Sequence, residues 1–400
     1  MSPQKGETMW GYMLCQAKTN RRVHLKKFLK SLEQVPDRRD NRGKEHELSF
    51  VLFGVTLAIL SGRARLSSIQ RYIANRIEWL RKITGKAEAG VVSRAQLPRI
   101  LSGVDRDELN RVTMNHFGVR LLETDEDEWL AIDGKALCGT PDAEGKQKAR
   151  IVTAVNHESR ETVAQCEMNN AKKGEITAVR TFLTESGLEK ANLTLDALHM
   201  NPKTTAQIQQ SGGHYLIQVK ANQNELCQIL TTVASTATPV SILNYTERGH
   251  GRQEERWYWC FDMQTVDFDA RWQQSGLNSL VVVLRQTTTG SDGTQISLEL
   301  SYYLSNWSLS GDNPISPDAL ARAVRRHWSI ESVNWIRDVT FQEDNVKTKD
   351  PQLAQCMATI RSFAIRLLQR ARFPNFQEAI ERFLDCPDDF FSFLQQAELL

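Results

Sequence analysis

Three carboxylates stand where they could meet around metal ions. Asp133 closes the apolar run Trp129-Leu130-Ala131-Ile132, and Asp196 closes Leu193-Thr194-Leu195 in the same way. Glu331 lies in the stretch SPDALARAVRRHWSIESVNWIRDVTFQED, residues 316–344. Along a strand alternate residues share a face, so Trp129, Ala131 and Asp133 point one way. Ligands of open sheets gather beyond the carboxyl ends of strands. Two aspartates there, with a glutamate on a helix packed across them, repel one another unless a divalent cation sits between them. Oxygen-only ligands suit Mg²⁺ or Mn²⁺, and a pair of such ions serves phosphoryl transfer. Each acid also has a plainer use. Asp133 and Asp196 could form strand-end turns or caps. Glu331 could be a rim residue neutralised by Arg325, Arg326 or Arg337.

The spacing predicts the elements that would hold these acids. Residues 316–344 read as one long helix, capped by Ser316 with Pro317 in its first turn. Leu320, Val324, Trp328, Trp335 and Val339 form its apolar face, and Glu331 falls on that face. Upstream, 129–133, 150–156, 162–168, 192–196 and 214–219 read as strands and 175–185 and 202–210 as helices, in the order β-β-β-α-β-α-β. Residues 222–312 interrupt that order with one helix and several strands. Alternation of Trp257, Trp259 and Phe261 with Tyr258 and Cys260 marks one of these strands. The first 120 residues read as helices, including the apolar 48–60 and the amphipathic 67–84, where Arg71 and Arg76 lie off the apolar side.

Hydrophobic content of 40% and charged content of 24% are ordinary for a soluble globular chain, and 400 residues imply more than one domain. Seven scattered cysteines, with no C-x-x-C pair, argue against a zinc ribbon or disulfide framework and suit a reducing cytoplasm. No secretory signal is visible, and the 13-residue apolar stretch at 48–60 is short for a membrane span. The net charge of +2 hides an asymmetry. Residues 1–100 carry 20 Lys and Arg against 8 Asp and Glu, net +12, and the other 300 carry 30 against 40, net −10. The first part either meets a polyanion or simply exposes arginines on wet helix faces.

Several ordered motifs resemble one family. IDGK at 132–135, TLDALH at 194–199, LIQVKANQ at 216–223, GHGRQEER at 249–256, and RRHWSIES followed by NWIRDVTFQED look like the H-repeat-associated, ISAs-type DDE transposases of bacterial insertion sequences. The resemblance runs from about residue 35 to 370. Ser332 and Asn334 stand where the family usually has Asn and His. The resemblance implies an α/β fold: an RNase H-like mixed sheet with flanking helices, a mainly β insertion and an N-terminal helical domain. The expected divisions are 1–120, helical, basic and DNA-binding; 121–221, the first part of the catalytic core; 222–312, the insertion; 313–375, the second part of the core with the glutamate helix; and 376–400, a helical tail.

It also implies that Asp133, Asp196 and Glu331 are the catalytic, metal-binding acids, holding two Mg²⁺ or Mn²⁺ ions. Lys135, Lys220, Asn222, Gln223, His250, Arg252, Arg256, Arg326 and His327 lie in the matching motifs, where they could contact phosphates. For His250 and Arg252 a structural role in a Gly-flanked turn stands equally open. The expected activity is cleavage of DNA at element ends and strand transfer into a target. The expected setting is a homo-oligomer on DNA, cytoplasmic and nucleoid-associated, with no membrane partner. Two alternatives remain at this stage: a nuclease that only cuts, and a silent DNA-binding descendant of a transposase.

Overall fold

A computed structural model describes residues 27–116, 128–141, 148–167, 174–249, 251–289 and 295–397. The chain divides into two compact units. Among the described residues no helix is long and apolar enough to cross a membrane.

The first unit, residues 1–120, 136–151 and 333–400, is mainly helical. Its N-terminal helices are α1 (Lys27–Leu32), α2 (Leu48–Leu60), α3 (Leu66–Asn75), α4 (Ile77–Thr84), α5 (Gln96–Ser102) and α6 (Arg106–Asn115). Every residue of α2 is buried, as its unbroken apolar sequence requires. Gly85 ends α4 with φ of 73°, a left-handed conformation that favours glycine. The C-terminal helices α12 (Pro351–Arg370), α13 (Phe376–Asp385) and α14 (Pro387–Gln396) share a single apolar core with the N-terminal ones. Phe28 of α1 stacks on Phe363 of α12 with ring centroids 4.5 Å apart. Asp350 caps α12 by accepting from the backbone N–H groups of Gln352 and Leu353.

The second unit, residues 121–135 and 152–332, is built on the sheet. The strands of the sheet are β1 (Trp129–Pro141), β2 (Lys148–Asn156), β3 (Thr162–Glu167), β4 (Asn192–Leu195), β5 (His214–Val219), β6 (Ser241–Gly249), β7 (Arg252–Asp262), β8 (Ser279–Thr289) and β9 (Gln295–Ser305). They lie in the order β3-β2-β1-β4-β5-β9-β8-β7-β6. β1, β4 and β5 run parallel. The first five strands form one half of the sheet, and the insertion continues it, because β9 returns antiparallel beside β5. On one face α7 (Gly174–Ser186), α8 (Pro202–Gln210) and α9 (Asn224–Thr236) cover Leu130, Ile132, Leu193 and Leu195. On the other, Leu320 and Val324 of α10 (Pro317–Arg326) pack with Trp129 and Leu216.

The single helix expected over 316–344 is interrupted. Ser316 does cap α10, accepting from Ala319 N at 3.1 Å. The helix then breaks at His327–Trp328, resumes as α11 (Ser329–Trp335), and widens into a π-turn at Ile336–Thr340. The break rephases the buried side. Ile330 and Val333 are buried, while Trp328, Trp335 and Val339, expected on the apolar face, are 45%, 59% and 51% exposed. Trp328 turns outward under the guanidinium of Arg285, 5.9 Å from its ring centroid.

Candidate active site

The register of β1 and β4 brings the two aspartates together. Ile132 pairs with Leu195, so Asp133 and Asp196 are the next residues along two neighbouring parallel strands. Adjacent strands lie about 5 Å apart, and residues side by side point to the same face. That face is the one covered by α10, because Trp129 shares it. β4 stops at Leu195 as expected, but β1 does not stop at Asp133. It runs on to Pro141, beyond the end of β4, with β2 on its other flank. Asp196 also serves as a cap: it accepts from Leu198 N at 3.1 Å and so holds the short 3-10 turn Ala197–His199. Its side chain is still half exposed.

Glu331 is exposed, and burial of part of its side chain raises its carboxyl pKa. No described residue gives its carboxylate a hydrogen bond or ion pair. The three arginines that could have neutralised it are all committed elsewhere. Arg325 binds Glu247 at 2.8 Å, Arg326 pairs with Glu158, and the fully buried Arg337 forms a two-pronged pair with Glu343, both contacts at 3.1 Å. Glu343 is therefore a buried partner of Arg337.

The helix bearing Glu331 is tied to the strand bearing Asp196. His327 Nδ1 lies 2.9 Å from Thr194 Oγ1, and His157 Nε2 lies 2.8 Å from the same oxygen. A hydroxyl has one proton and two lone pairs, so one oxygen can bond both imidazoles. Burial pushes the His157 pKa down to about 3 and that of His327 to about 4, so both rings are neutral near pH 7. Thr194 is two residues before Asp196, and His327, at the break before α11, is four residues before Glu331. This clamp ties the chain four residues before Glu331 to β4.

Two further groups line the site. His199 is 1% exposed, and neither ring nitrogen has a hydrogen-bond partner. Its Nε2 lies 3.7 Å from Asp196 Oδ1 and 3.9 Å from Glu175 Oε1. Burial lowers the His199 pKa, opposed by the charge of Asp196. Glu175, in the first turn of α7, presses against Gly134: a Cβ added there would lie 2.8 Å from Glu175 Oε1. Glycine at 134 thus makes room for a carboxylate beside Asp133. The sequence reading missed His157, Thr194, Glu175 and His199. Thr194 and His199 stand inside TLDALH, and His199 follows Asp196 by three residues, a usable signal. Nothing local marks Glu175 or His157.

The other expected site residues are placed as follows. Lys220 follows β5 and is exposed, and Asn222 Nδ2 donates to the Ala197 carbonyl at 2.9 Å. Gln223 Nε2 donates to the Met200 carbonyl at 2.9 Å, so the loop after β5 braces the turn that carries Asp196. Lys135 is buried. Arg256 is buried between Glu254 and Glu247, Arg252 pairs with Glu254 at 2.8 Å, and His327 sits in the Thr194 clamp. His250 lies outside the described residues.

Among the described residues no three His, Cys, Asp or Glu side chains converge closely enough to hold a metal ion by themselves. The donor types nevertheless fit a hard divalent cation. Asp133 and Asp196 follow an in-register pair on neighbouring parallel strands, no described residue partners the Glu331 carboxylate, and the unsatisfied His199 Nε2 lies near the Asp196 and Glu175 carboxylates.

Comparison with known proteins identifies the family. The family described as Transposase DDE domain matches residues 125–367, more than half of the chain, and the DDE_Tnp_1-associated family matches residues 29–117. A putative transposase, YncI, of Escherichia coli O157:H7 is 28% identical over 87% of this chain and 88% of its own length. The H repeat-associated putative transposase YhhI of Escherichia coli K12 is 25% identical over 86% of this chain and 91% of its own. A piggyBac transposase solved in a synaptic complex with hairpin DNA aligns with TM-score 0.44 and 10% identity, covering 94% of this chain and 80% of that one. With the Transposase DDE domain matched across residues 125–367, which take in the sheet and the helix carrying Glu331, the chain belongs to the DDE transposases.

Proposed function

We propose that the protein is a divalent-metal-dependent transposase that cuts DNA at the ends of an insertion sequence and joins the freed 3′-hydroxyls to target DNA. The observation that carries this reading is the in-register pair Asp133 and Asp196, with the Glu331 helix clamped to the same strand through Thr194. Asp133, Asp196 and Glu331 would hold the ions, two Mg²⁺ or Mn²⁺. When bound, such ions activate an attacking oxygen and stabilise the leaving one. The residues themselves fix where the acids sit. His327 and His157 lock the helix to β4 as neutral rings, and Asn222 and Gln223 brace the Asp196 turn. Lys220 stands exposed at the rim, where it would meet a phosphate.

Each step exchanges one P–O bond for another. Water attacks a phosphodiester and a 3′-oxygen leaves, taking up a proton. That 3′-hydroxyl then attacks a target phosphodiester and releases a target 3′-oxygen. The reading assigns residues 1–120 to DNA binding, 121–221 and 313–375 to the catalytic core, 222–312 to the insertion within it, and 376–400 to a helical tail. It places the protein in the cytoplasm, on the nucleoid, acting as a homo-oligomer.

The test is Asp133→Asn, Asp196→Asn and Glu331→Gln, assayed for cleavage and strand transfer and, separately, for Mn²⁺ binding by calorimetry. Each should lose both reactions by several orders of magnitude, because positioning and electrostatics supply most of phosphoryl-transfer catalysis. Mn²⁺ binding should weaken in each, while duplex DNA binding persists. Asp338→Asn, about 10 Å further along the helix at 1.5 Å per residue, should be mild. Full activity in all three acid variants would refute the assignment. Cleavage without joining of pre-cut ends would reduce the protein to a nuclease.

A further inference from the structure

The helical unit carries a concave site that none of the catalytic motifs touches. A cavity of about 760 Å³ opens among the α2–α3 link, α3, α4 and α14, lined by Arg63, Ser68, Arg71, Asn75, Arg76 and Trp79. Among the described residues no acid pairs with its three arginines. Arg63 and Arg71 are exposed, and no described residue gives either side chain a hydrogen bond or ion pair. No described residue gives Arg76 a carboxylate partner, and it lies over the rings of Tyr72 and Trp79, at 5.1 and 5.9 Å from their centroids. The one acid on the wall, Glu78, is taken by Arg81 at 2.7 Å. Elsewhere on the same unit Arg39, Arg42 and Arg111 each bind a neighbouring Asp or Glu.

Three unpaired guanidiniums around one hollow repel one another, and a concave low-dielectric wall concentrates their field. An anion in the hollow relieves that repulsion. Guanidinium forks match phosphate oxygens two at a time, and stacking on Tyr72 and Trp79 preorganises the Arg76 plane. The arginines come from three successive segments and the hollow is larger than one phosphate, so the matching ligand is a run of linked phosphates. We propose that this pocket grips consecutive backbone phosphates of duplex DNA, with Arg63, Arg71 and Arg76 as the contacts and the Asn75 amide as an additional donor. The proposal rests on the reading of the protein as a DNA-processing enzyme, and assigns to specific side chains part of the +12 charge of residues 1–100.

The test uses the full chain and a duplex of about 30 base pairs, with binding followed by fluorescence anisotropy from 50 to 300 mM salt. Each lost phosphate contact removes about 0.9 from the slope of log K against log salt and costs roughly fivefold at 150 mM. Arg63→Gln/Arg71→Gln/Arg76→Gln should therefore lower the slope by about 2.7 and the affinity by on the order of 100-fold. The lysine triple at the same positions should keep most of the slope. A charge-matched control, Arg38→Gln/Arg42→Gln/Arg111→Gln, removes arginines already paired with acids and should lose much less. A folded glutamine triple, with native Tm, that retains wild-type affinity and slope overturns the pocket while the DNA-processing reading stands. A wild-type chain without salt-dependent DNA binding overturns both. Should the triple not fold, Arg63→Gln and Arg71→Gln singly carry the same test, and no loss in either overturns the pocket.

Discussion

The clamp on Thr194 predicts a loss of stability in mild acid. Both imidazoles are buried and bonded to one hydroxyl. His157 faces His327 and Arg326, and His327 faces Asp196 and His199. In the unfolded chain each ring takes up a proton near pH 6.5, but in the folded chain not until about pH 3 for His157 and about pH 4 for His327. Between those values the unfolded state binds more protons, so folding stability falls as pH falls. The contribution is fully present above about pH 6.5 and shrinks as the pH drops through the window below it. From pH 7.5 to 5 each ring should cost about 2 kcal/mol, and the pair about 4 kcal/mol. The assay is urea unfolding at both pH values, comparing wild type with His157→Gln/His327→Gln, which can still hydrogen-bond Thr194 but cannot titrate. The double variant should be less stable at pH 7.5 and lose about 4 kcal/mol less on acidification. Equal acid loss in the two proteins would refute the clamp as described. If Glu331 is a catalytic acid as proposed, single-turnover cleavage by the double variant should fall at pH 7.5 with little change in DNA affinity.

Two further outcomes follow from the packing. Arg337→Met strands Glu343 in the core, where the pair is 0% and 3% exposed, and should cost about 3–5 kcal/mol, whereas Arg337→Met/Glu343→Leu should recover most of it; a single-variant loss under about 1 kcal/mol in urea unfolding would contradict the buried pair. Gly134→Ala drives a methyl group to 2.8 Å from Glu175 Oε1 and displaces a flexible carboxylate rather than backbone, so stability should change by less than about 1 kcal/mol. Mn²⁺ affinity in that variant should fall by about tenfold in calorimetry, with partial recovery in Gly134→Ala/Glu175→Ala, and an unchanged affinity would remove Glu175 from the site.

Much of the site was written locally. Alternation along Trp129-Leu130-Ala131-Ile132-Asp133 fixes which face Asp133 takes, and the short apolar run before Asp196 fixes where β4 ends, because strand sidedness has a period of two residues. Ser316-Pro317 and Asp350-Pro351 fix two helix starts, since caps use only adjacent backbone N–H groups. Residues 316–344 show where local reading fails. Helical periodicity alone placed Trp328, Trp335 and Val339 inside, but the chain breaks at His327–Trp328, where His327 bonds Thr194, 133 positions earlier. Charge partners were equally hidden. Arg325, Arg326 and Arg337 were all within reach of Glu331 in sequence, yet Glu247, Glu158 and Glu343 claim them. An ion pair is chosen by which carboxylate the fold brings within about 4 Å, and spacing along the chain does not carry that distance. Only the tertiary structure therefore left Glu331 without a partner among the described residues, set His199 beside Asp196 and Glu175, and gathered Arg63, Arg71 and Arg76 around one hollow.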